Sequence, residues 1–118
     1  MDYIQDNKRD TMSDIIPIVG SNEFDAATQS GLVLVDFFAT WCGPCRRQVP
    51  ILEQIAPEFE GRAKIIKVDT DLAQDVAVRF GVQSVPTLVL LKDGKTVGQF
   101  VGLQQAEALR SILEKALG

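Results

Sequence analysis

The chain has 118 residues, 46% hydrophobic and 24% charged, with 12 basic against 16 acidic side chains, no histidine and a formal charge of −4. That length suits one soluble globular domain with a single modest core. The acidic balance leaves no basic footprint for nucleic acid, and no apolar run approaches the roughly 20 residues that span a bilayer.

Met1 to Asp14 is polar and rich in charge. It lacks both the apolar h-region of a secretory signal and the acid-poor, Arg- and Ser-rich character of a transit peptide. Residues 1 to about 12 are expected to form a flexible N-terminal extension, with the folded domain over 13–118. Ile15-Ile16-Pro17-Ile18-Val19 is a short β candidate, and Pro17 favours an edge position. Ser21 or Asn22 can cap a short helix that runs to about Gln29 and ends at Gly31. Leu32 to Thr40 follows as a strand. Apolar on both faces apart from Asp36, it belongs at the centre of a sheet covered on both sides.

A helix starting near Cys45 carries Val49, Leu52, Ile55 and Phe59 at helical spacing and stops at Gly61. Pro50 falls in its interior, where it removes one backbone hydrogen bond and should bend the rod. Ala63 to Asp69 is the next strand, and a helix over about Asp71 to Phe80 ends at Gly81. Thr87 to Leu91 and Thr96 to Val101 flank Asp93-Gly94, a strong hairpin signal. The last helix, Gln104 to Leu117, turns Ala108, Leu109, Ile112, Leu113 and Leu117 toward the core. The order β-α-β-α-β-α-β-β-α predicts an α/β domain. Its central mixed sheet is expected to hold three parallel strands plus an antiparallel hairpin, with helices on both faces.

The chemistry centres on Trp41-Cys42-Gly43-Pro44-Cys45, which holds both cysteines of the chain. Two thiols separated by two residues, where a strand hands over to a helix, read as a dithiol/disulfide couple. In the first helical turn the sulfurs come close enough to bond without backbone movement. Cys42 at the helix N-terminus gains from unpaired N–H groups and the dipole, which favour the attacking thiolate. Pro44 is tolerated there because its missing N–H had no helical partner. Gly43 leaves the rim of Cys42 bare, and Trp41 offers a flat apolar surface beside it. A structural disulfide closing so small a loop would constrain little. A zinc site normally takes four ligands, and with two cysteines and no histidine it would need carboxylates or a second chain; no metal is expected. A single CxxC pair without a signal suggests a reducing, cytoplasmic compartment. No Rossmann-type glycine spacing or P-loop is present, so no nucleotide cofactor is expected.

Val35-Asp36-Phe37-Phe38-Ala39-Thr40 followed by the CxxC stretch resembles the active-site segment of the thioredoxin family. The likeness continues through Pro50, Lys67-Val68-Asp69, Val85-Pro86-Thr87, Asp93-Gly94 and Val101-Gly102, over about residues 13 to 118. It implies the thioredoxin fold and thiol–disulfide exchange through Cys42 and Cys45. Disulfide-containing proteins would be the targets, and a flavin-containing thioredoxin reductase drawing on NADPH the electron donor. The protein would act as a monomer, without nucleic acid or membrane.

Burial in its apolar strand should raise the pKa of Asp36 into a useful range, and the resemblance implies that it serves Cys45 as proton acceptor. The competing reading is a buried acid neutralised by a structural partner. The resemblance likewise pairs Lys67 with Asp36, although a strand lysine can also simply reach solvent. It implies a cis Val85–Pro86 bond facing the cysteines, against a base rate of about 5–6% for X-Pro. The Val85 backbone would then pair with a target peptide, and Gly102 and Leu103 would complete the apolar rim.

Two features depart from the family pattern. Phe38 stands where tryptophan is common. Arg46-Arg47 adds two charges that either favour the thiolate or acidic targets, or lie solvated on the helix surface. Two other functions fit less of the sequence: a disulfide oxidase or isomerase, and a non-catalytic binding module using the Trp41/Pro86 face.

Overall fold

The computed structural model describes residues 16–118; the expected extension over residues 1–12 and the residues through Ile15 lie outside the described residues. Among the described residues four strands form one sheet: β1 (Leu32–Phe38), β2 (Ala63–Asp69), β3 (Thr87–Lys92) and β4 (Lys95–Val101), in the order β2-β1-β3-β4. The helices are α1 (Ser21–Thr28), α2 (Gly43–Ile55), α3 (Gln74–Arg79) and α4 (Ala106–Leu117), and a 3-10 turn over Ala56–Phe59 extends α2.

Alternation along β1 builds a core on each side of the sheet. Leu32 and Leu34 face Leu52, Ile55 and Phe59 of α2 and its extension, and Leu109 and Leu113 of α4. Val33, Val35 and Phe37 face Phe24 of α1 and Val76 and Ala77 of α3. Each large side chain so enclosed is worth roughly 1.5–3 kcal/mol against exposure. Asp36 shares the α2/α4 face with Leu34, an acid set among hydrocarbon.

The sheet is mixed, as expected, but its strand directions differ from the expected three parallel strands plus hairpin. Among the described strands only β1 and β2 form a parallel pair; β1–β3 and β3–β4 are both antiparallel. One cause is the length of α3. Six helical residues rise about 9 Å, whereas a seven-residue strand spans about 23 Å. The helix alone does not return the chain along the sheet, and β3 enters at the end where β2 finished, with Thr87 opposite Phe37. The other cause lies in the segment expected as the first strand. Around Pro17, which has no N–H to donate, it contributes one parallel bridge, Ile18 to Lys67, at the β2 edge. That bridge is flanked by Lys67 N–H to Pro17 O and Val19 N–H to Lys67 O, at 2.9 and 2.8 Å.

Several boundaries also move. Gly20, with no side-chain cap, precedes α1, because the Ser21 hydroxyl donates instead to Asp75 on α3. Helix α3 starts three residues later than expected. Asp71 and Leu72 form a turn whose N–H groups donate to the Asp69 carboxylate at 2.9 and 3.4 Å. Ala108 is exposed, one residue off the stripe set by Leu109 and Leu113. The β3–β4 hairpin forms as expected. Asp93 and Gly94 both take left-handed φ values of 51° and 83°, the requirement of its two-residue turn.

Candidate active site

Strand β1 delivers the chain to the end of the sheet, where a turn closed by Cys42 N–H to Ala39 O at 3.1 Å redirects it into α2. Cys42 is the N-cap of that helix, in extended conformation, and its sulfur accepts from the Cys45 N–H at 3.2 Å. A sulfur thus occupies the position where a capping oxygen usually satisfies an orphan N–H. The same dipole and N–H groups favour a thiolate on Cys42 when the pair is reduced. In the structure Cys42 and Cys45 are joined as a disulfide, with Cα atoms 5.3 Å apart. Gly43 and Pro44 fill the first turn between them.

Cys42 and Cys45 are nearly enclosed, at 5% and 2% exposure, whereas Trp41 beside them is 70% exposed. Its indole N–H donates to the Asp71 carboxylate at 2.9 Å, which holds the ring at the rim. Across from the sulfurs lies the loop entering β3. Its Val85–Pro86 bond is cis, and the Val85 carbonyl oxygen is 3.6 Å from Cys42 Sγ. Pro86 O accepts from Gly102 N–H at 2.8 Å, bringing the β4–α4 joint to the same rim. Gly102 has φ +94°, and a side chain there would meet nothing within 4 Å. The backbone angle, not lack of space, therefore demands glycine. Leu103 follows, half-buried. Trp41, Gly43 and Pro44 thus flank the disulfide along the chain, Val85 faces Cys42 Sγ, and Pro86 ties Gly102 to the same rim. A shallow hollow of about 150 Å³ lies between Trp41 and Val85. A larger one of about 600 Å³ lies at the far end of the sheet beside Leu32, Pro57 and Ile65, away from the sulfurs.

Asp36 lies behind the site on the β1 face that α2 covers, fully buried, with neither carboxylate oxygen hydrogen-bonded among the described residues. Desolvation pushes its pKa up from 3.8 to about 7, opposed in part by the positive charge of Lys67. Lys67 is the register partner of Asp36 on β2, so the two side chains share one face of the sheet. The ion pairs among the described residues join Arg62 to Glu114, Arg79 to Asp25 and Arg110 to Glu58; none joins Lys67 to Asp36. The Lys67 ammonium instead lies 5.7 Å from the centre of the Phe38 ring. Arg46 and Arg47 are exposed, and Arg46 donates to Thr40 O at 3.0 Å, closing the turn before the disulfide.

Sequence reasoning misses two residues here. Asp71, expected at the start of a helix, is the partner of Trp41. Gln48 lies on the helical stripe of Cys45, Leu52 and Ile55, a signal that could have found it, and is fully buried.

The family model described as thioredoxin matches residues 15–115. A thioredoxin of Staphylococcus saprophyticus is 47% identical over 103 residues, covering 87% of this chain and 98% of the relative. A thioredoxin of Staphylococcus aureus strain Mu50 is 46% identical over 95 residues, covering 80% and 91%. Among solved structures, a mutant thioredoxin from Halobacterium salinarum NRC-1 superposes with a TM-score of 0.79 at 38% identity, covering 87% of this chain and 90% of that one.

Proposed function

Because the chain belongs to the thioredoxin family of protein-disulfide oxidoreductases, with Cys42 and Cys45 as its redox pair, we propose that Cys42 attacks and Cys45 resolves. The Cys42 thiolate displaces one sulfur of a target disulfide. The target bond breaks, a mixed disulfide forms on Cys42, and one target thiolate leaves. Cys45 then gives its proton to Asp36 and attacks Cys42 Sγ. The mixed disulfide breaks, the second target thiolate takes up a proton, and the Cys42–Cys45 disulfide remains. The target gains two electrons and the pair loses two.

The observation that carries this reading is a cysteine sulfur capping α2, bonded to Cys45 and 3.6 Å from Val85 O. A pKa of about 7 leaves Asp36 partly ionised near neutrality, a state able to accept the Cys45 proton. Lys67, facing it in register, keeps that pKa from rising further. Trp41, Gly43, Pro44, Gly102 and Leu103 form the surface on which a target chain lies, and the Val85 backbone beside Pro86 pairs with it as a short added strand. A thioredoxin reductase drawing on NADPH restores the dithiol. The setting proposed is the cytoplasm, with the protein acting as a monomer. Among the described residues no helix is long and apolar enough to cross a membrane.

Replacing both cysteines by serine separates this reading from a binding module. The double variant is expected to fold and to reduce no insulin in the presence of dithiothreitol above the reductant's own rate. Insulin reduction at the rate of the parent would overturn the proposal.

A further inference from the structure

Gln48 lies one turn beyond Cys45 on the buried face of α2 and is fully enclosed. An amide in an apolar stripe costs free energy unless both its ends are satisfied. One residue satisfies both. Gln48 Oε1 accepts from Gln104 N–H at 2.8 Å, and Gln48 Nε2 donates to Gln104 O at 2.9 Å. The side chain therefore grips both polar groups of a single backbone unit 56 residues away.

That grip continues across the rim of the site. The Gln104 side chain turns back and donates from Nε2 to Gly102 O at 3.1 Å. Gly102 N–H donates to Pro86 O at 2.8 Å, and Val85 before it approaches Cys42 Sγ. One buried amide on the disulfide-bearing helix thus registers the β4–α4 joint and, through it, the loop before β3. Residues 102–105 have no regular structure of their own. Their sequence would let a helix begin at Gln104, yet α4 starts at Ala106. With its N–H and C=O both held by Gln48, Gln104 is kept out of the helix.

We propose that Gln48 is a positioning residue for target docking, holding Gly102 and Leu103 in the conformation that receives a polypeptide disulfide. It touches neither sulfur nor substrate and acts through Gln104. This rests on the reading of Gly102 and Leu103 as part of the docking surface.

The test uses the full chain and insulin as the disulfide substrate. Gln48→Met keeps the length of the side chain and removes both hydrogen bonds. It is expected to raise KM for insulin about tenfold, the equivalent of roughly 1.4 kcal/mol, with kcat changed less than about twofold. Amide exchange at Gln104 should accelerate about tenfold or more, while the β1 amides are unchanged. Gln104→Ala keeps the Gln48 clamp and loses the bond to Gly102 O; it should raise KM in the same direction by about threefold. If Gln48→Met does not fold, this milder variant decides. An unchanged KM in either folded variant overturns the docking role, whatever exchange does at Gln104. A kcat loss without a KM change overturns it too. Failure of the parent protein to reduce insulin is a separate result, one that removes the functional reading and, with it, the docking role assigned to Gln48.

Discussion

A Cys45→Ser variant is expected to stop halfway through the reaction, with its target still attached through Cys42. Cys42 retains what makes it reactive: the N-cap position of α2 and the backbone N–H of residue 45, which points at its sulfur at 3.2 Å in the parent. What disappears is the second nucleophile, which must lie within bonding reach of Cys42 to resolve the mixed disulfide. Serine has no accessible anion at neutral pH and forms no S–S bond. Turnover should fall on the order of 10³-fold or more, as for loss of a covalent nucleophile elsewhere. Mass spectrometry should find a reductant-sensitive adduct of target plus protein, mapped to Cys42. Cys42→Ser should form no such adduct, because Cys45 lies inside α2 and lacks the N-cap position that favours a thiolate. Adducts of equal yield on the two single variants would contradict the assignment of attacking and resolving sulfurs.

Asp36→Asn is expected to alter both stability and rate, with opposite signs. In the parent, burial raises the Asp36 pKa from 3.8 to about 7. The folded state therefore holds this proton more tightly than the unfolded chain. Below about pH 4 the carboxyl is protonated in both states and contributes no pH dependence. Between about pH 4 and 7 the unfolded chain releases the proton first, so stability falls as pH rises through that window and levels off above it. The full shift corresponds to roughly 4 kcal/mol. The variant should lack this fall and be several kcal/mol more stable than the parent at pH 8, with the gap closing toward pH 4. Denaturant titrations across that range measure it, and parallel pH profiles for the two proteins would contradict the burial argument. In the proposed mechanism the same change removes the proton acceptor for Cys45. Resolution of the mixed disulfide near pH 7 should slow on the order of 10²-fold.

What can be read from the sequence is what neighbours in the chain specify. The disulfide needs only Cys42, Cys45 and the helix that begins between them, all inside one motif. Asp93-Gly94 specifies its own turn. Asp36 stands out as one charge in an apolar run, and its register opposite Lys67 requires only that β1 and β2 lie side by side. The features that stay hidden depend on distances along the chain that no local pattern encodes. The direction of β3 depends on the whole path from Asp69 to Thr87, of which α3 is only six residues. The late start of α4 follows from Gln48 gripping a backbone unit in another segment. Trp41 is held by Asp71, which the local pattern places in a helix because it does not show the Asp69 carboxylate's hold on the following turn. Ala108 reads as core by composition, although the spacing of Leu109 and Leu113 turns it to solvent.

The measurement that bears most directly on function is a redox titration of the Cys42–Cys45 pair, followed by the fluorescence of Trp41. This tryptophan is the only one in the chain and adjoins Cys42, so its emission reports the state of the disulfide. A protein-disulfide reductase should show a midpoint near −270 mV, about the value for a thioredoxin. A midpoint at roughly −180 to −120 mV, the range of isomerases and strong oxidants, would contradict that account and make the pair a donor of disulfides.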